Sequence, residues 1–251
     1  MALHNYHTHT QRCNHAEGCE REYVEHAIAC GMQTLGFSDH APYLFTDGYY
    51  SVFRMQVDEL EDYAETVRAL AKEYAKDIRI LCGFELEYYP DFHKDTMNFL
   101  KKISPDYLIL GQHFLGNEQD GIITSHTTGD MALTAYVTQV LAGIATGDFL
   151  YIAHPDTAGL QCSEEVLQRE FRRLCQGAKR FGIPLEINLL GLRRHRHYPR
   201  RSFFEIAAEV GNDVVLGADA HTPQDVFDPA SEEIARSWIK DLGLHLIEQI
   251  L

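Results

Sequence analysis

An α/β architecture built on a parallel sheet is predicted by three observations. Strand-like and helix-like runs alternate seven times along the 251 residues. The strand runs are β-branched or near-continuously apolar, the pattern expected where both faces of a sheet are covered. Glycines stand where helices should stop before the next strand, as a glycine C-cap requires. Such alternation implies an open doubly wound sheet or a closed barrel, and a barrel gathers the C-terminal ends of its strands on one rim.

The elements follow in order. A first strand is expected at Leu3–His7, followed by a helix over Glu20–Cys30. The second strand, Thr34–Ser38, leads to a helix over Gln56–Ala75, where Leu60, Ala64, Val67 and Leu70 recur at helical spacing. Ile78–Glu85 pairs with Asp91–Lys102, Tyr107–Gln112 with Asp130–Thr146, and Phe149–Ala153 with Glu164–Phe181. Pro184–Leu189 precedes the helix Arg201–Gly211, and Asp213–Ala218 precedes Ser231–Leu242. Gly31, Gly182 and Gly211 mark three of the helix stops.

Bulk properties narrow the function classes. Hydrophobic residues at 45% and charged residues at 24% suit a globular enzyme with a sizeable core. No linker rich in Pro, Gly or Ser interrupts the chain, so a single domain over 1–251 is expected. No run approaches the roughly 18 apolar residues of a membrane span. Met-Ala-Leu-His-Asn-Tyr-His offers neither a basic nor an apolar leader region, so a cytoplasmic protein without a membrane partner is expected. A net charge of -15 argues against a nucleic-acid partner, but not against a small phosphorylated substrate held through bound cations. The six cysteines form no C-x-x-C pair and read as free thiols that mostly pack the interior.

Histidine, with 14 copies, is the unusual residue, and its placement follows the strand ends. The first strand ends in His7-Thr8-His9, with Cys13-Asn14-His15 in the loop beyond. The second ends in Ser38-Asp39-His40, the third in Gly83-Phe84-Glu85, and the fourth in Gly111-Gln112-His113. The fifth ends in His154-Pro155-Asp156, the sixth carries Glu186-Ile187-Asn188, and the seventh ends in Asp219-Ala220-His221. Two histidines separated by one residue on a strand point to the same side and can chelate one ion. Imidazole mixed with carboxylate suits zinc, manganese or iron, whereas an all-oxygen set would suit magnesium or calcium. A lone His40 or His113 is ordinarily a hydrogen-bonded structural histidine, and Glu85 alone could be an ion-paired carboxylate. It is their joint register at strand ends that points to a metal centre. His4, His26, His93, His126 and His245 lack that register and read as surface or packing residues, and Asp39 is expected to orient a neighbouring imidazole.

The series His7-Thr8-His9-Thr10, Cys13-Asn14-His15, Ser38-Asp39-His40, Gly83-Phe84-Glu85, Gly111-Gln112-His113, His154-Pro155-Asp156 and Gly217-Ala218-Asp219-Ala220-His221 resembles the polymerase and histidinol phosphatase (PHP) family. The resemblance runs from Met1 to about His221, with every signature motif in order. It implies a single distorted (β/α)7 barrel with the active site at the C-terminal ends of the strands, holding three divalent metal ions. Carried over position by position, it implies that His7, His9, Glu85 and Asp219 bind a first metal. Glu85, His113 and His154 would bind a second, and His15, His40 and His221 a third. Single-domain length, Cys-Asn-His-Ala after the first motif, Glu-Leu-Glu-Tyr-Tyr at 85–89, and Glu-Ile-Asn-x-x-Gly-Leu-Arg at 186–193 look most like the histidinol-phosphate phosphatase branch. That branch implies hydrolysis of L-histidinol phosphate to L-histidinol and phosphate in histidine biosynthesis.

On this reading the nucleophile is water activated at the metals, because no G-x-S-x-G or P-loop supplies one from the protein. Arg193 is the candidate phosphate contact, since a guanidinium fork binds oxyanions bidentately. Glu87, Tyr88, Phe114 and Asp156 are candidates to receive the amine and imidazole of such a substrate. Two other readings stay open. One is a phosphatase or 3′–5′ exonuclease acting on nucleotides or nucleic-acid ends, which a basic groove would favour. The other is a noncatalytic metal-binding module.

Overall fold

The computed structural model describes residues 3–45 and 48–251, and the chain divides into two units. The first takes in the described residues of Met1–Leu86, together with Pro90–Ile109 and Gly217–Pro229. The second takes in Glu87–Tyr89, Leu110–Leu216 and Ala230–Leu251.

In the first unit a sheet runs in the order β1 (His4–Asn5), β2 (Thr34–Phe37), β3 (Arg79–Leu86), β4 (Tyr107–Leu110). β1 and β2 pair in parallel, His4 opposite Thr34, and β2 and β3 pair in parallel from Thr34–Arg79 to Phe37–Cys82. Helices α1 (Glu20–Ala29), α2 (Leu60–Glu73) and α3 (His93–Leu100) accompany it. Leu60, Tyr63, Ala64, Val67 and Leu70 are the buried residues of α2, which is the apolar stripe its sequence spacing predicts.

Two glycines inside strands are explained by one aromatic ring. A Cβ at Gly36 or at Gly83 would lie 2.4 or 2.5 Å from Tyr107 atoms, so the neighbouring strands leave a slot that the phenol fills. Its hydroxyl donates towards the Tyr6 carbonyl at 2.8 Å and the Phe37 carbonyl at 3.0 Å, and burial pushes its pKa well above that of an ordinary tyrosine. The ring thereby ties β2 and β3 to the residue that follows β1.

The second unit holds the sheet β5 (Leu185–Asn188), β6 (Asp213–Gly217), β7 (His245–Leu246), with β6 and β7 parallel. Its helices are α4 (Asp130–Ile144), α5 (Glu164–Phe181), α6 (Leu189–Arg193), α7 (Arg201–Val210) and α8 (Pro229–Leu242). Phe171 of α5 and Phe203 of α7 meet edge to face with centroids 5.0 Å apart. Both are fully buried, and each contributes roughly 1.5–3 kcal/mol through its removal from water. Gly182 and Gly211 cap α5 and α7 in the left-handed conformation, and Gly31 follows the end of α1 at φ 76°.

The structure corrects several boundaries. The expected strand Phe149–Ala153 exists only as parallel bridges of Ile152 to Leu110 and to Leu185. His154, at φ 30°, turns the chain out of the extended conformation and cuts the strand short. The first strand is confined to two residues, and the sixth gives way at Leu189 to α6, which the sequence reading missed. Asn188 starts that helix, its side chain accepting from Gly191 N. The pair β7 was also not anticipated, because two residues are too few to show a period. All six cysteines are free thiols, with Cys13, Cys82 and Cys175 buried.

Candidate metal centre

The loop after β1 is tied down by its neighbours before any ligand is considered. Thr8 bridges Ala220 in parallel, His9 N donates to Ala220 O at 2.9 Å, and Ala220 N donates to His7 O at 3.2 Å. Asn5 sits beneath, its amide nitrogen on Thr8 Oγ1 and its oxygen accepting from His7 N and Ala218 N. On the other side Thr8 N donates to Ser38 Oγ, and Ser38 N to Thr8 O. Glu85 N donates to Ser38 O at 3.0 Å, which fixes the end of β3.

On this frame four side chains of the first unit converge. His7 Nε2 and His9 Nε2 lie 3.1 Å apart. Glu85 Oε2 stands 3.5 Å from the first and 3.4 Å from the second, and Asp219 Oδ1 stands 3.6 and 3.4 Å from them. Bonds of about 2.0–2.2 Å in a tetrahedral array would place donor atoms roughly 3.3–3.6 Å apart, so the set fits a single transition-metal ion. Asp219 reaches it from a left-handed backbone at φ 47°.

The electrostatics agree with that fit. Burial alone would raise the Asp219 pKa, yet His7, His9 and His221 hold it well below the carboxylate range. Burial would lower His9, but hydrogen bonds to Asp219 and Glu85 overcome this and raise it to about 9. The geometry therefore favours positive charge at this point. His9 Nδ1 is buried without a hydrogen-bond partner among the described residues.

A second group adjoins the first within the same unit. The rings of His9 and His221 are stacked at 4.5 Å, those of His15 and His221 lie 4.9 Å apart, and those of His15 and His40 5.4 Å apart. His15 Nδ1 meets Cys13 O at 2.7 Å and His221 Nδ1 meets Asp219 O at 3.1 Å. A carbonyl can only accept, so both rings carry their proton on Nδ1 and present Nε2. Burial and the neighbouring His9 lower His221 to about 3, as expected where several imidazoles crowd together. Phe53 closes edge-on against His40 at 4.8 Å.

Cys13 was read as packing, yet its sulfur forms a group with His9 and His221 whose ligand atoms all lie within 4.8 Å. The spacing His-x-His-x3-Cys-x-His was the available signal. Asp39 does not orient an imidazole as expected. It accepts from Thr10 N at 2.7 Å and Thr10 Oγ1 at 2.8 Å, so it fixes the chain just beyond His9.

His113 and His154 belong to the second unit, where their rings approach edge to face at 4.9 Å. His113 Nδ1 bonds Glu87 Oε1 at 3.0 Å, and Glu87 is fully buried. Glu87 thus orients an imidazole rather than waiting for a substrate amine. Asp156 is also buried and accepts from Arg200 N, while burial pushes its pKa up to about 6. Arg193, half-buried, ends α6.

Three comparisons bear on this site. The sequence model of the PHP domain family matches residues 5–189. The probable histidinol-phosphatase of Deinococcus radiodurans is 29% identical over 241 residues, covering 91% of each chain. Among solved structures, a candidate histidinol phosphatase from Listeria monocytogenes superimposes with a TM-score of 0.75 at 24% identity, over 91% of this chain and 99% of that one. The histidinol phosphate phosphatase of Lactococcus lactis, complexed with zinc, L-histidinol and phosphate, gives 0.73 at 20% identity, over 97% and 95%. At such identities the two structures speak for the fold.

Proposed function

The chain belongs to the PHP domain family, and from that premise we propose that it is a metal-dependent phosphomonoesterase that hydrolyses L-histidinol phosphate to L-histidinol and phosphate. The convergence of His7, His9, Glu85 and Asp219, with nitrogens and oxygens 3.1 to 3.6 Å apart, carries this reading. The likeness of the whole chain to a relative of that name supports the substrate. The ligand set is proposed as His7, His9, His15, His40, Glu85, His113, His154, Asp219 and His221. Three ions of zinc, manganese or iron are proposed for it. The closed (β/α)7 barrel as one domain belongs to the same proposal, supported by the parallel strands and the parallel bridges of Ile152 to Leu110 and Leu185, and so does a cytoplasmic setting.

Bound divalent ions would supply charge for the phosphoryl oxygens and activate water for attack at phosphorus. The chain's own residues do the remainder. Glu85 and Asp219 bring the only formal negative charge among the nine proposed ligands, so a loaded site is strongly cationic and suits a phosphate dianion. The carbonyls of Cys13 and Asp219 and the carboxylate of Glu87 hold three imidazoles in one tautomer, which removes the need to reorganise them during reaction. Arg193 would grip a phosphoryl oxygen through its fork.

Phosphate release from L-histidinol phosphate should exceed that from AMP and an aryl phosphate by orders of magnitude in kcat/KM. It should vanish on chelation and in His9→Ala. Preference for AMP or for DNA ends would keep the metal chemistry and reject the substrate.

A further inference from the structure

Strand β5 buries two polar side chains completely, Glu186 and Asn188. Residues two apart on a strand share a face, so both point to the same side. Glu186 Oε2 accepts from the backbone N–H of His154 at 2.8 Å and from Asn188 Nδ2 at 2.9 Å. Asn188 Oδ1 in turn accepts from Gly191 N at 2.8 Å, in the first turn of α6. One carboxylate oxygen therefore stands between the His154 backbone, held at φ 30°, and the short helix that ends in Arg193. From its other side α6 is pinned by close packing, since a Cβ on Gly191 would lie 2.2 Å from Tyr198 O.

Strand packing does not explain this arrangement. A carboxylate loses its hydration when buried, and an apolar residue of similar volume would fill the same space at lower cost. The hydrogen bonds instead join a residue in a sparsely populated backbone conformation to a helix start, and such strain persists only where the surroundings enforce it.

We propose that Glu186 and Asn188 are positioning residues that fix His154 and Arg193 relative to each other, so that one brace on β5 sets both a metal ligand and a phosphate contact. The inference rests on the roles proposed above for His154 and Arg193. Glu186 serves both arms. Asn188 reaches α6 directly and His154 only through Glu186.

That asymmetry gives the test. Zinc content at a fixed free-zinc concentration would be measured by elemental analysis, and binding of inorganic phosphate to the zinc-loaded protein by calorimetry. Asn188→Ala should weaken phosphate binding about tenfold and leave zinc content unchanged. Glu186→Ala should lower both. Glu186→Gln, which keeps an accepting oxygen in the same place, should stay within about threefold of the parent in both. Parental phosphate affinity in Asn188→Ala would overturn the proposal, as would a Glu186→Gln protein as impaired as Glu186→Ala. Should Glu186→Ala fail to fold, as judged by thermal unfolding, the other two variants still decide. A parent that binds no zinc would sink both the reading of the site and the brace. A parent that binds zinc and phosphate but ignores histidinol phosphate would sink only the substrate.

Discussion

Replacing Asp39 by asparagine should change how the metal-free protein responds to pH. Asp39 is fully buried, and burial lifts its pKa from 3.8 to about 7, against the opposing pull of His9 and the two hydrogen bonds from Thr10. A carboxyl whose folded pKa lies above its unfolded value binds more protons when folded. Its contribution to stability is therefore complete below the unfolded pKa and is lost as pH rises through the folded one. The displacement corresponds to roughly 4 kcal/mol between pH 4 and pH 8. Asparagine can offer its oxygen to Thr10 N and its amide to Thr10 Oγ1, so it keeps both contacts without the charge. Urea unfolding of the chelated parent and Asp39→Asn would be compared at pH 4.5 and pH 8. The variant should gain on the parent by several kcal/mol as pH rises. The gain should shrink in the zinc-loaded proteins, where nearby cations favour the charged carboxylate. A difference between variant and parent that is independent of pH would refute the reasoning.

Other outcomes follow from the same contacts. Chelation should lower the melting temperature, and zinc at about 100 times its Kd should restore roughly 2.7 kcal/mol, read by calorimetry. Glu87→Ala removes the acceptor of His113 Nδ1 and should weaken metal affinity about 10–100-fold, measured by competition with a chromophoric chelator. Gly83→Ala drives a methyl group against the Tyr107 ring and should destabilise the protein by about 1–3 kcal/mol in urea unfolding.

The proposed ligands were legible in the sequence because most stand at or just past a strand-like run, where strand periodicity and a short polar motif coincide. Their supports were not. Asn5 holds Ala218, separated from it by 213 positions, and Asp39 holds Thr10, separated by 29. No local pattern encodes such pairs. Helix α2 was legible because its apolar stripe, Leu60, Tyr63, Ala64, Val67 and Leu70, repeats over several turns. The run at Phe149–Ala153 was misjudged because composition favoured a strand, while the backbone turn at His154 decided otherwise. Glu87 and Asp156 looked like rim carboxylates from their neighbours, and only burial reveals that they are engaged elsewhere.

The left-handed backbone at His154 and Asp219 puts main chain and side chain in opposition. Glycine would relieve about 1 kcal/mol of strain at either position, and the hydrogen bond from residue 154 N to Glu186 would survive the exchange. The same exchange would empty the space of a buried ring at 154 and take a hydrogen-bonding carboxylate from His9 at 219, which more than offsets the strain relieved. The strained conformation is therefore held in place by what these two side chains do at their tips, and glycine there would spare the backbone while leaving phosphate esters untouched.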